Sequence, residues 1–288
     1  MNEEKTKSIM KIGVIIVLYN TTFLTSKLES QFGNITFIII DNTPNQNLNI
    51  NRTNLIYHPM MRNAGIAAAQ NKGIEIATTE NCTHVVFLDQ DSELQPNFIT
   101  DICTEYARIN TFCPNLFILG STIFNGRTSE EYKSKIHKDK SIYHDFIPRR
   151  DIISSGSCAS IETIKQVGPL DESLFIDYVD LEWGWRGANM GLISGITPRV
   201  KLTHFIGKTE YNFFKLLVIV SSPVRYYYQT RNYIKLIKRS YVPFKWKINI
   251  GIKKILFLMT YPFKVKDWKS IYKNTFKGFV DGVFNDRT

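Results

Sequence analysis

The sequence predicts an α/β protein: a doubly wound, Rossmann-like sheet followed by a basic, aromatic helical extension. Three observations point there. Short β-branched apolar runs recur through the first two hundred residues, separated by helix-patterned or polar stretches. Polar and acidic residues gather at the carboxyl ends of those runs, where open α/β sheets bind ligands. Beyond about residue 210 the pattern changes to lysine and arginine interleaved with aromatics.

The first run, "KIGVIIVLYN" (11–20), ends at Tyr19 and Asn20, and "ITFIIIDN" (35–42) ends at Asp41 and Asn42. Both read as buried parallel strands. After the short run "NLIYH" (54–58), the Ala, Ile and Gln content of "NAGIAAAQNKGIEIA" (63–77) suits a helix opening near Asn63. "HVVFLDQD" (84–91) is a fourth strand, ending in Asp89 and Asp91. "PNFITDICTEYARI" reads as a helix, a proline-marked turn follows, and "LFILGST" returns as a strand. Residues 125–152 are polar and charged, which suits a loop or hairpin over the site. A turn at Ser155, Gly156 and Ser157 precedes the helix "ASIETIKQVG", with Ser157 as its candidate cap. The acidic and aromatic segment "PLDESLFIDYVDLEWGWRGANMG" and the run "RVKLTHFIG", which contains His204, complete a first domain over residues 1–210. Residues 211–288 form the extension.

At 288 residues and 43% hydrophobic content the chain buries a sizeable core, which excludes a disordered protein. Four cysteines without CxxC spacing, behind a polar and charged start, suit free thiols in a reducing, cytosolic compartment. The apolar runs fall short of the roughly 20 residues needed to span a bilayer, so no transmembrane helix is expected. The net charge of +10 is unevenly placed: residues 206–288 carry 17 basic and four acidic side chains, a net +13, which leaves −3 for the first 205. The extension is therefore built to meet something anionic.

Asp89 and Asp91, one residue apart at a strand end, can both face a phosphate-bound divalent cation, and oxygen ligands suit Mg²⁺ or Mn²⁺. The alternative is that they cap the helix that follows. Asp41 and Asn42 can accept from the imide or ribose of a nucleotide, and Arg62 with Asn63 sits before a helix whose amides favour a phosphate. Together these residues describe a nucleoside-diphosphate site with a metal.

"VIIVLYN", "IIIDN", "RNAGIAAAQNKGI", "FLDQDS", "SGS" and "FIDYVDLEWGWR" make a pattern, over roughly residues 11–210, that resembles the inverting nucleotide-sugar glycosyltransferases of family 2 with their GT-A fold. "LDQDS" with "FIDYVDLEW" is similar, more narrowly, to bacterial rhamnosyltransferases of cell-surface polysaccharide assembly. The resemblance implies that Asp41 reads the base and that Asn63 lies near the diphosphate. Tyr19, Asn20, Arg62 and Gln90 fill out the donor site, and Asp89 and Asp91 form the DxD metal and ribose site. It places the catalytic base in the acidic cluster before "WGWR", where counting back six from Arg186 lands on Asp180, with Asp177 as runner-up. Val179 stands where family members often carry an acid, so the tuning of Asp180 can differ from the commoner pattern. His204, eighteen residues past Arg186, becomes a third metal ligand on this view, against the alternative of a structural histidine. Ser155, Gly156, Glu182 and Trp183 are the acceptor candidates, with simple core packing the alternative for Trp183.

Inversion at an anomeric carbon needs an acceptor hydroxyl deprotonated as it attacks opposite the departing diphosphate, and one positioned carboxylate does this. The expected function is metal-dependent transfer of L-rhamnose from dTDP-rhamnose to a lipid-linked saccharide, for O-antigen or capsule synthesis. The expected place is the cytoplasmic face of the cell membrane. The alternatives are a UDP-hexose or galactofuranosyl donor with the same mechanism, or a non-catalytic nucleotide-sugar-binding membrane protein. The extension fits an anionic membrane surface. No nucleic-acid-binding module accompanies it, and its aromatics could instead pack on the catalytic domain or on a second subunit of a homo-oligomer.

Overall fold

The computed structural model describes residues 10–21, 28, 31, 33–50, 53–125, 131, 145–204, 210–213 and 216–284. Strands β1 (Ile12–Leu18), β2 (Ile35–Asp41), β3 (Leu55–Pro59) and β4 (His84–Asp89) fall where the apolar runs predict them. They pair in parallel with β1 between β2 and β4. Side chains alternate between two cores, as the two-residue strand period requires. Ile15, Ile38, Ile40, Val85 and Phe87 pack on the side of α1 (Ile66–Thr79), and Val14, Phe37, Ile39, Val86 and Leu88 on the side of α2 (Phe98–Asn110). Being covered on both faces is why these strands read as continuous apolar runs.

The sheet continues through β5 (Leu116–Asn125), β6 (Ile147–Pro148), β7 (Ser157–Ser160) and β8 (Ile193–His204), in the spatial order β3-β2-β1-β4-β7-β5-β8-β6. β7 is antiparallel to both β4 and β5. That ladder takes Ser157, so the expected cap moves: helix α3 (Ile161–Val167) is capped by Ser160, whose hydroxyl accepts from the Thr163 amide at 3.1 Å. Of the expected loop or hairpin at 125–152, residues 126–130 and 132–144 lie outside the described residues, and β6 closes the sheet edge. Helix α4 (Val179–Asn189) follows a 3₁₀ turn at Glu172–Leu174.

The extension is not helical throughout. β9 (Glu210–Phe213) and β10 (Leu216–Ile219) form an antiparallel pair where helical spacing is expected. Three helices follow: α5 (Pro223–Ile237), α6 (Phe244–Lys264) and α7 (Trp268–Phe284). α5 holds the other two. The Tyr233 hydroxyl donates to the Lys247 carbonyl of α6 at 2.8 Å, and the Tyr227 hydroxyl donates to Asp281 of α7 at 2.8 Å. α5 also bonds, through Asn232, to the chain just before α4. All four cysteines are free and buried, and no described helix is long and apolar enough to cross a membrane.

Candidate active site

The strand register brings Leu18, Asp41 and Asp89 to one edge of the sheet. The loops beyond are laced together there: the Tyr19 amide donates to Gln90 Oε1 at 2.8 Å, and the Asn20 amide to Thr43 Oγ1 at 2.8 Å. Asp41 is fully buried; one oxygen accepts from the Thr43 amide at 3.0 Å and the other from the Tyr57 hydroxyl at 2.8 Å. Both Asp41 oxygens are thus engaged in fixing the β2 loop. Asn42 bridges to the start of α1, donating to Asn63 Oδ1 at 3.0 Å and accepting from the Ala64 amide at 2.8 Å. Arg62 and Asn63 are exposed at this mouth.

Asp89 is half-buried at the end of β4, and Asp91 is exposed in the turn beyond it. The turn closes with the Ser92 amide on the Asp89 carbonyl at 3.1 Å, while Ser155 Oγ accepts from the Asp89 amide at 3.2 Å and lies 2.9 Å from Ser92 Oγ. The cap position of α2 is Asn97, six residues past Asp91, and its side chain makes no cap bond. Glu93 bridges to Thr203, which brings the DxD loop beside the end of β8 at His204; the His204 side chain lies outside the described residues. Among the described residues no group of three His, Cys, Asp or Glu side chains converges, so Asp89 and Asp91 stand as a two-carboxylate set. That set fits Mg²⁺ or Mn²⁺ held jointly with substrate phosphates, the usual habit of Mg²⁺.

Asp180 lies in the first turn of α4 with its carboxyl half-buried. Its Oδ1 accepts from the Leu181 amide at 2.9 Å, and the backbone at Ser154 adds a second hydrogen bond. Burial, reinforced by the nearby negative charge of Asp89, outweighs those bonds and raises its pKa to about 6. The 154–155 loop thus touches both acids, with Ser154 on Asp180 and Ser155 on Asp89.

Asp177, the runner-up, is clamped. Arg225 of α5 grips its carboxylate with Nε 3.0 Å and Nη2 2.8 Å from Oδ1. The guanidinium is half-exposed and also feels Asp89, so a cation stands on the same mouth as the DxD loop. The backbone here is strained: Phe175, Asp177 and Tyr178 have φ of 63°, 68° and 66°. Asn232, fully buried on α5, holds it by donating from Nδ2 to the carbonyls of Leu174, Ile176 and Asp177 at 2.8, 2.7 and 3.1 Å. The same loop meets α1, where the Ile66 amide donates to the Phe175 carbonyl at 2.7 Å and a Cβ on Gly65, at φ +88°, would lie 2.6 Å from the Phe175 ring.

The acceptor candidates lie on the buried side of α4 and in the 155–156 turn. Trp183 is buried, its indole N–H donating to the Gly168 carbonyl at 2.9 Å and its ring edge-on to Phe87 and Phe117. Glu182 is also buried, paired with Arg186 at 3.0 Å and Arg239 at 3.1 Å and accepting from the Tyr241 hydroxyl at 2.6 Å. Helical spacing explains both: Val179, Glu182 and Trp183 form the inward face, and Asp180 points elsewhere. Ser155 is spent on the DxD loop. Gly156, at φ +75°, packs so closely that a Cβ would lie 2.7 Å from Leu202 and Ser121. Sequence reasoning missed Arg225, Asn232 and Arg239. The one signal for Arg225 and Asn232 is polar and charged residues set among aromatics in "SPVRYYYQTRNY", and Arg239 follows in the basic run "KLIKRS".

Residues 14–162, just over half the chain, match the model of glycosyl transferase family 2. Over 265 residues, 85% of each chain, the sequence is 30% identical to the dTDP-rhamnosyl transferase RfbF of Shigella flexneri. Among solved structures, S. aureus TarS 1–349 in complex with UDP superposes with a TM-score of 0.56 at 14% identity, covering 95% of this chain and 81% of that one. GalNAc-T7 with UDP, GalNAc and Mn²⁺ gives 0.57 at 11% identity, covering 96% of this chain and 56% of that one. These likenesses show the GT-A fold. With the strand-end acids, the family match and the RfbF identity together, this chain belongs to glycosyl transferase family 2 and is a rhamnosyltransferase-like glycosyltransferase.

Proposed function

We propose that the protein transfers L-rhamnose from dTDP-rhamnose, with inversion, to a saccharide carried on a lipid at the cytoplasmic face of the cell membrane. The observation that carries the mechanism is Asp180, a half-buried carboxyl with its pKa raised to about 6 in electrostatic reach of the DxD acid Asp89. A base poised near neutral pH takes the acceptor proton as the hydroxyl attacks, and is still ionised at pH 7. The donor assignment rests on the likeness to RfbF.

In this reading the thymidine diphosphate lies across the carboxyl edge of the sheet, over Tyr19, Asn20 and Gln90, with Arg62 and Asn63 toward its phosphates. Asp89 and Asp91, with His204 as third candidate, would hold a Mg²⁺ or Mn²⁺ that offsets charge on the diphosphate. Arg225, half-exposed and oriented by Asp177, adds a fixed positive charge for the departing diphosphate. Asp177 is thereby a positioning residue. Asp41, Asn42 and Ser155 shape the loops from behind. The acceptor enters over Asp180, between α4 and the 154–156 loop.

The test is a panel of nucleotide sugars scored by protection against thermal unfolding, with and without Mn²⁺. A ligand at about 100 times its Kd stabilises the fold by about 2.7 kcal/mol. dTDP-rhamnose should protect most and dTDP alone nearly as well. Protection by UDP-sugars and none by dTDP-sugars would overturn the donor assignment and support a UDP-hexose or UDP-galactofuranose enzyme.

A further inference from the structure

The two sides of α6 live in different surroundings. One side is occupied: Trp246 meets the rings of Tyr178 and Trp185 at 5.1 and 4.8 Å, Gly251 packs on the Tyr233 hydroxyl, and Tyr261 bonds Tyr226 at 3.0 Å. The other side carries Phe244, Ile248, Ile252, Ile255, Met259 and Phe263, from 46% exposed at Ile248 to 82% at Phe263. Their spacing of four, four, three, four and four residues keeps them on one stripe of a helix. At 1.5 Å per residue the stripe runs about 29 Å. Solvent-facing apolar surface of this length is unusual unless something covers it.

We infer that this stripe is a docking face for an anionic lipid bilayer, with α6 lying in the headgroup layer rather than spanning it. Charge identifies the occupant. α6 carries five lysines and no acid, and Lys245, Lys253 and Lys264 are exposed beside the stripe. A second copy of the chain on this face would set those lysines against identical lysines, whereas phosphate headgroups complement them. Apolar side chains below and cations at phosphate level are the composition of an interfacial helix. Because Trp246 ties the start of α6 to α4, docking also holds the Asp180 helix at the bilayer, within reach of an acceptor on a lipid anchor. Only that last consequence rests on the proposed acceptor; the docking face stands on the stripe and its charges.

The experiment is co-sedimentation of the full chain with vesicles of phosphatidylglycerol and phosphatidylcholine, and of phosphatidylcholine alone, across a salt series. It reads no sugar transfer, so its failure and a failure of the transferase reading are separate results. Wild-type protein should bind the anionic vesicles at low salt and keep a salt-resistant fraction, because apolar insertion is not screened. Ile255→Ser with Met259→Ser should lower partitioning about tenfold and remove the salt-resistant fraction. Lys245→Gln with Lys253→Gln should weaken only the salt-sensitive part. All four side chains are exposed, so an unchanged melting temperature certifies the fold. Serine variants that bind like wild type would overturn the proposal. So would a wild-type protein that stays in the supernatant, including one that sediments as a dimer which the serine pair dissociates, since the stripe would then belong to a second copy.

Discussion

Replacing Asn232 with Ala should unsettle the 174–178 loop, and with it the proposed base, from a distance. The amide donates to three carbonyls, of Leu174, Ile176 and Asp177, and Arg231 donates to its Oδ1 at 2.9 Å, which fixes the amide orientation. Leaving a buried polar group unpaired costs about 1–3 kcal/mol. Two N–H groups shared over three carbonyls therefore put the loss at about 3 kcal/mol. With an unfolding entropy of about 2.1 cal/mol/K per residue, 288 residues give about 0.6 kcal/mol/K, so the melting temperature should fall by about 5 °C. Activity should fall further, because Phe175, Asp177 and Tyr178 hold left-handed φ values that persist only while the surroundings enforce them. Asp180 follows two residues later, and a misplacement of about 1 Å can cost about a hundredfold. Thermal melting and steady-state transfer check this, with Asn232→Asp as a near-isosteric companion that replaces the donor with an acceptor. Variants that melt within about 1 °C of wild type with unchanged kcat would show that the three bonds do not hold the loop.

The pH profile should carry the Asp180 signature. With its pKa at about 6, kcat/KM should climb about tenfold per pH unit below that value and level off above it; a flat profile from pH 5 to 8 would exclude this carboxyl. The linked stability effect has the opposite sense. The folded pKa exceeds the ordinary carboxylate value, so the stabilising contribution is present at low pH and is lost as pH rises through about 6. Arg225→Gln should lower kcat by about 10–100-fold at nearly constant acceptor KM, with partial recovery in Arg225→Lys, as expected for a charge that stabilises a leaving group; full activity in Arg225→Gln would make the Asp177 pair purely structural. Asp91→Ala should weaken dTDP binding chiefly when Mn²⁺ or Mg²⁺ is present, measured by calorimetry, whereas equal affinity with and without metal in both proteins would leave the DxD without a metal role.

The parts of the site legible in the sequence are those whose cause is local. β1, β2 and β4 announce themselves because both faces are buried, and Asp89 and Asp91 stand out because a hydrophobic strand ends in carboxylates. Asp180 is what the family resemblance implies, counted back from Arg186, and its carboxyl lies in electrostatic reach of Asp89. What stayed hidden depends on contacts far apart in the chain. Arg225 meets Asp177 across 48 positions, and Asn232 meets Leu174 across 58, which no local pattern encodes. The burial of Trp183 and Glu182 is likewise set by distant partners, Gly168 for the indole and Arg239 and Tyr241 for the carboxylate, which the acidic and aromatic segment around Asp180 does not encode. Asp41 sits at the strand end expected of it, but its buried bonds to Thr43 and Tyr57 are tertiary.

The most direct test of the mechanism is Asp180→Asn, assayed in parallel for dTDP-rhamnose binding and for transfer to a lipid-linked acceptor. The variant should bind donor as wild type does and melt no lower at pH 7.5, because it removes a charge that burial disfavours. Its transfer rate should fall by about 10²–10⁴-fold, the range of a lost general base. Transfer within about twofold of wild type, with Asp177→Asn inactive instead, would contradict the assignment and move the base to Asp177.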